Sequence, residues 1–142
     1  MRANAYLSFR GDCEAAFAFY AECLGGTVGQ LFRYGGSPFE AEAPAGWHDK
    51  VMHGSVTIGG QDFMGADVAP DKYEKPRGVS LSLHIDDTAE AERVFTALAR
   101  GGTIVMPLAK TFWAAHFGML VDRFGIQWMV NGGGSEPEGG QS

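Results

Sequence analysis

The chain is poor in cysteine and basic residues and has no long apolar run, and each scarcity narrows what it can be. Its two cysteines, Cys13 and Cys23, fall on one predicted helix. Ten positions at 1.5 Å per residue separate them by roughly 15 Å, beyond disulfide reach. No CxxC spacing is present, so both read as reduced core residues rather than redox or zinc groups. Eleven scattered Lys and Arg stand against 17 Asp and Glu, giving a net charge of −6. Nucleic acid is therefore not an expected partner. No stretch approaches the roughly 18 apolar residues of a membrane span. Met1-Arg2-Ala3 leads into a strand-like segment with no apolar targeting region, so cytoplasmic residence is expected. There is no GxSxG elbow and no activated Cys-His arrangement. None of the Gly-rich stretches matches a phosphate cradle.

What is present suits one globular domain: 142 residues, 45% hydrophobic and 20% charged. The chain also repeats itself. A shift of 76 positions lays Leu7–Thr27 over Leu83–Thr103 with eight of 21 pairs identical, among them Glu14/Glu90, Ala15/Ala91 and Phe19/Phe95. Two copies are too few for a solenoid, so a pseudo-twofold domain is expected.

Asp12 is placed to cap the first helix, whose stripe is Cys13, Ala16/Phe17, Tyr20 and Cys23/Leu24; Gly25 ends it. In the second copy Asp87 and Glu90 have capping-box spacing, Ala91, Val94/Phe95 and Leu98 form the stripe, and Gly101 terminates. Strands are predicted at 27–34, 51–58 and 61–66, and again at 79–86, 103–110, 115–122 and 126–131. Residues 37–49 read as a long mobile loop and 69–77 as a linker. The resulting order is βαβββ–βαβββ, an α+β domain over 1–131 made of modules at about 4–68 and 77–131. A disordered tail is expected at 132–142. Alternation separates Val79, Leu81, Leu83 and Ile85 from Ser80, Ser82 and His84, and Val56 and Ile58 from His53, Ser55 and Thr57.

Phe19-Tyr20 followed by Leu24-Gly25, inside this doubled pattern, resembles the vicinal oxygen chelate superfamily of glyoxalases, bleomycin-resistance proteins and extradiol dioxygenases. Within it the chain is similar to the PhnB-like branch, labelled 3-demethylubiquinone-9 3-methyltransferase-like. The segments that carry the likeness are Tyr6-Leu7-Ser8-Phe9, His53, Ile58-Gly59-Gly60, Met64, Asp67, Thr111-Phe112-Trp113, Phe117-Gly118 and Asp122-Arg123-Phe124-Gly125 before Trp128. The resemblance implies two curled mixed sheets forming a cup, one helix outside each, often completed by a homodimer. An adenosyl-type cofactor would need a crevice on an open parallel sheet, which this pattern does not offer.

In the metal-dependent relatives each copy gives ligands from its first and last strands. Those positions fall on Ala5, Ser80, Met64 and Met129, a set unsuited to a hard divalent cation. Phe9 stands where glutathione-dependent glyoxalases carry an arginine. A one-residue slip of the first strand would exchange Ala5/Leu7/Phe9 for Asn4/Tyr6/Ser8. The expectation is a cavity that binds a small organic ligand with no metal and no other cofactor, through His53, Ser55, Met64, Ser80, Trp113 and Met129. His53 is the best candidate for a hydrogen-bonding or acid–base role; no catalytic residue is otherwise assigned. Asp67 reads equally as a turn cap or a ligand contact, Asp122 as structural and Trp128 as core. One alternative is a metal-dependent lyase or dioxygenase using a relocated set such as His53, His84 and His116. Another is a dimer module with an incidental cavity.

Overall fold

The duplication is visible in the topology. A computed structural model describes residues 1–112 and 116–133 and divides the chain into two compact units, Met1–Glu74 and Lys75–Ser142. The division falls inside the expected linker. The first unit contains β1 (Tyr6–Phe9), α1 (Cys13–Leu24), β2 (Thr27–Arg33), β3 (Val51–Ile58) and β4 (Gln61–Asp67). The second contains β5 (Leu81–Ile85), α2 (Thr88–Ala99), β6 (Thr103–Ala109), β7 (His116–Val121) and β8 (Gln127–Gly132). The strand orders are β1-β4-β3-β2 and β5-β8-β7-β6, and only the pairs β1/β4 and β5/β8 are parallel. Each is a four-stranded mixed sheet with one helix on one face.

In the first unit α1 buries Cys13, Ala16, Phe17, Tyr20 and Cys23. Phe17 meets Phe9 edge-on, ring centroids 5.8 Å apart. Gly65 makes room for it: a Cβ there would lie 2.6 Å from the Leu7 carbonyl oxygen and 2.9 Å from Phe17 Cζ. In the second unit α2 buries Ala91, Val94, Phe95 and Leu98, and Gly118 leaves the corresponding space beneath Phe95. Burying one such aromatic side chain is worth roughly 1.5–3 kcal/mol.

The 76-residue offset holds for the strands flanking the helices, but the helices themselves are offset by 75. Ala16, Tyr20 and Cys23 are the buried counterparts of Ala91, Phe95 and Leu98, whereas Ala15 is exposed although its identical partner Ala91 is buried. One extra residue before α1 is compensated by one extra residue after α2, so the identities overstate the match of faces.

The helix starts also differ. Asp87 accepts a hydrogen bond from Glu90 N at 3.1 Å, as its spacing implies. Asp12 occupies the N-cap of α1 without a side-chain cap. The carboxylate of Asp67, 1% exposed at the end of β4, takes that role: Oδ1 accepts from Gly11 N and Cys13 N, and Oδ2 from Val51 N, each at 2.9 Å. Asp67 is thus a helix cap joined to a strand clasp, settling the choice the sequence left open. In the second unit Asp122 Oδ1 accepts from Phe124 N and Ile126 N, and Oδ2 from Trp128 Nε1 at 2.8 Å. Asp122 is structural and Trp128 is core, as expected.

Three expectations need correction. Val79 lies before β5 and is 69% exposed, so it does not join the apolar face. Residues 37–49 are not a featureless loop, because Glu40–Glu42 form a 3-10 turn. The β2/β3 pairing reaches into this segment through Tyr34 N to Lys50 O and Gly35 N to His48 O. Finally, β8 includes Gly132, one residue of the expected tail. Trp113 and residues 134–142 lie outside the described residues. Among the described residues no helix is long and apolar enough to cross a membrane.

Replacing Asp67 by Ala strands three backbone N–H groups, and the expected loss is about 3–5 kcal/mol. Urea unfolding should show a lowered midpoint at unchanged slope; a loss below about 1 kcal/mol would contradict the clasp. Both thiols are buried and neither is in a disulfide, and burial followed by the charges of Asp67, Asp12 and Glu14 pushes the Cys13 thiol up. A thiol-specific chromogenic reagent should find no reactive cysteine in the folded protein at pH 8 and both after denaturation.

Candidate functional site

Strand register decides which residues share a face. Tyr6 pairs with Met64, Ser55 with Met64, and Phe32 with His53. Leu7, Phe9, Gly54 and Gly65 point toward α1. Tyr6, Ser8, Phe32, His53, Ser55 and Met64 therefore occupy the face opposite α1. The first-strand position beside Met64 is Tyr6 rather than Ala5, which corrects the assignment to Ala5. Phe9 is a fully buried core residue, so it offers nothing at a ligand surface.

This face holds a bonded pair. Tyr6 Oη and His53 Nδ1 are 3.0 Å apart, with ring centroids separated by 5.7 Å. Phe32 flanks His53 from the other side at 6.3 Å. Tyr6 and Phe32 are 51% and 45% exposed, whereas His53, Ser55 and Met64 are half-buried. The Tyr6 hydroxyl is protonated near neutrality like any phenol, and burial is the main cause that raises it further above its usual range. The arrangement offers an aromatic and thioether surface with a hydroxyl–imidazole pair in its middle.

Phe32 also borders a cavity of about 560 Å³ lined by Arg33, Ser37, His48, Asp49 and Met52. Met52 is the extra residue of a bulge, since Arg33 pairs with Val51 and Phe32 with His53. Its side chain also lines a second cavity of about 250 Å³, with Tyr34, Phe39, Pro44, Val68 and Lys72. A bulge re-aims a side chain out of strand alternation. Arg33 is held at the first cavity by Glu14 Oε1 at 2.9 Å and the Asp49 carbonyl at 2.8 Å. The arginine keeps the Glu14 carboxyl below its usual range.

The other expected residues belong to the second unit. Met129 pairs with Met119 and with Ser82 on the face opposite α2, and Met119 pairs with Met106. Asn131 Nδ2 donates to Ser82 Oγ at 3.1 Å. Ser80 is half-buried and precedes β5. Trp113 lies outside the described residues.

The relocated histidine set is not assembled. His84 pairs with Asn131, while His116 pairs with Gly132, which packs toward Ala91 of α2, so these two occupy opposite faces of one sheet. Among the described residues no three His, Cys, Asp or Glu side chains come together in a way that could hold a metal. Nor do the strand positions fit a hard divalent cation. Tyr6 beside Met64 and Ser82 beside Met129 present a protonated phenol, a hydroxyl and two thioethers.

The expected contacts His53, Ser55 and Met64 share this face with Tyr6 and Phe32, neither of which stands among the ligand contacts expected from the sequence. The slipped register that keeps Tyr6 and Ser8 together was the available signal for the first. The pairing of β2 with β3, which brings Phe32 to His53, left no local trace.

Comparison with known proteins agrees with this architecture. Protein YjdN of Escherichia coli K12 is 34% identical over 139 residues, covering 92% of this chain and 95% of its own length. The crystal structure of PA1353 from Pseudomonas aeruginosa is 46% identical, with a TM-score of 0.84 over 95% of this chain and 99% of that one. A PhnB protein from Bacillus cereus, described as a putative 3-demethylubiquinone-9 3-methyltransferase, is 28% identical, with a TM-score of 0.80 over 93% and 99% of the two chains. The fold alone is shared with a glyoxalase/bleomycin resistance protein/dioxygenase family enzyme from Burkholderia phytofirmans, 16% identical with a TM-score of 0.61 over 92% and 98%. Residues 2–131 match the family described as 3-demethylubiquinone-9 3-methyltransferase. With its doubled βαβββ order and these relatives, the chain belongs to that PhnB-like family of the α+β glyoxalase/bleomycin resistance fold.

Proposed function

We propose that this protein binds a small organic ligand on the face of β1–β4 opposite α1, without a glyoxalase-type metal. The observation that carries the reading is the Tyr6–His53 pair, a polar group set between Phe32 and Met64 on a partly exposed sheet face. Small-molecule sites combine such apolar walls with a few placed polar groups. The ligand's ring or chain lies over Phe32 and Met64, and its oxygen atoms meet His53 and the Ser55 hydroxyl. Thioethers and a protonated phenol at the strand positions support binding without a cation.

Methyl transfer, the activity in the family's description, gains no support from the topology. Each sheet has one parallel pair in an otherwise antiparallel arrangement. A nucleotide-type cofactor ordinarily sits at the strand ends of an open parallel sheet. Sequestration or sensing of the ligand fits the site better, since neither needs more than a shaped surface and placed hydrogen bonds.

Titrating the protein with aromatic and aliphatic carboxylates, ketones and amines, while following tryptophan fluorescence, should yield at least one saturable ligand. His53→Gln should weaken it about tenfold, the worth of one well-made hydrogen bond, with an unchanged circular dichroism spectrum. A panel without a binder, or equal affinity in the variant, contradicts the reading.

A further inference from the structure

The contact between Tyr6 and His53 also has a direction, and the direction selects the ligand. A phenol is a stronger acid than a neutral imidazole N–H, and an imidazole nitrogen is a stronger base than a phenol oxygen. The favoured bond across the 3.0 Å separation is therefore Tyr6 O–H donating to Nδ1. A phenol is protonated near neutrality, and burial, which raises the Tyr6 hydroxyl further above its usual range, reinforces that donor. With Nδ1 engaged as an acceptor, the single proton of neutral imidazole resides on Nε2. Nε2 makes no hydrogen bond among the described residues.

We propose that Tyr6 is a positioning residue that fixes His53 as a hydrogen-bond donor through Nε2, so that the site takes ligands presenting a carbonyl or carboxylate oxygen there. This inference rests on the ligand face described above and narrows it to one chemical class. An ammonium group, which has no lone pair, meets a donor instead of an acceptor and leaves both unpaired, a mismatch that discriminates strongly at a partly desolvated site. The preference runs against the net charge of −6, which at long range favours cations. Phe32 lies beside the imidazole, its ring tilted by 35° with centroids 6.3 Å apart, and gives the ligand's ring a surface next to that donor.

The test begins with no ligand. In protein labelled with ¹⁵N-histidine, at a pH where the imidazole is neutral, the His53 signals are identified by their loss in His53→Gln. The expected spectrum shows Nδ1 unprotonated and Nε2 protonated, and Tyr6→Phe should convert it to a mixture of tautomers with the circular dichroism spectrum unchanged. The second step adds 2-naphthoate, 2-acetylnaphthalene or 2-naphthylmethylammonium, which share a ring and differ in the group offered to His53. The acid and the ketone should shift the His53 signals, with binding weakened about threefold to tenfold in Tyr6→Phe, while the ammonium should leave them unmoved. An Nδ1-protonated His53, a tautomer unaffected by Tyr6→Phe, or a preference for the ammonium overturns the inference whatever else binds. The expected tautomer with no shift from any of the three probes overturns the ligand-face reading instead, leaving the hold of Tyr6 on His53 in place.

Discussion

The buried carboxylate of Asp67 is the interaction on which the first unit depends. It gathers the turn before α1, the first residue of that helix and the first residue of β3 onto one side chain at the end of β4. A carboxylate taken out of water costs several kcal/mol, and three charge-assisted backbone bonds, each worth about 1.5–3 kcal/mol, offset that cost. The result is a helix anchored to the sheet at a single point. Because β4 alternates, Asp67 and Gly65 face the helix while Met64 stays on the other side beside Tyr6 and Ser55. The same constraint that holds α1 in place thus orients the candidate site. Asp122 serves the second unit in a more local way, closing the turn before β8 and holding Trp128.

The sequence carried most of the fold because its signals were local. Helical stripes, glycines at the helix ends (Gly25 at φ 71° and Gly101 at φ 75°) and alternation in 51–58 led to elements whose ends shift by at most two residues. What could not be read was long-range. Asp12 looked like a cap because caps are sought next to the helix, whereas the acceptor arrives from 54 residues further on. The helices' one-residue offset between copies was hidden because Glu14/Glu90 and Ala15/Ala91 are identical yet occupy different positions around the helix.

The candidate site was legible in part for the same reason. His53 and Ser55 announced themselves as polar residues alternating with Val56 and Ile58. The sequence aligned the short β1 with Ala5 at the ligand position and left a one-residue slip open, and only the parallel pairing with β4 puts Tyr6 rather than Ala5 next to Met64. Phe32 carried no sign of function, since an aromatic on a strand is read as core until its 45% exposure is seen. The bulge at Met52 was equally invisible, although it shapes two cavities. Thioethers at the strand positions were the most informative residues of all, because their donor chemistry is fixed by the side chain whatever the register.

These points converge on the proposal that the face of β1–β4 opposite α1 is a ligand-binding surface. The most direct test is backbone amide NMR of the uniformly ¹⁵N-labelled chain during titration with an aromatic carboxylate. The account predicts shifts concentrated at Tyr6, Phe32, His53, Ser55 and Met64. Saturable shifts confined to the cavity around Ser37, His48 and Asp49, with those five residues silent, would contradict it.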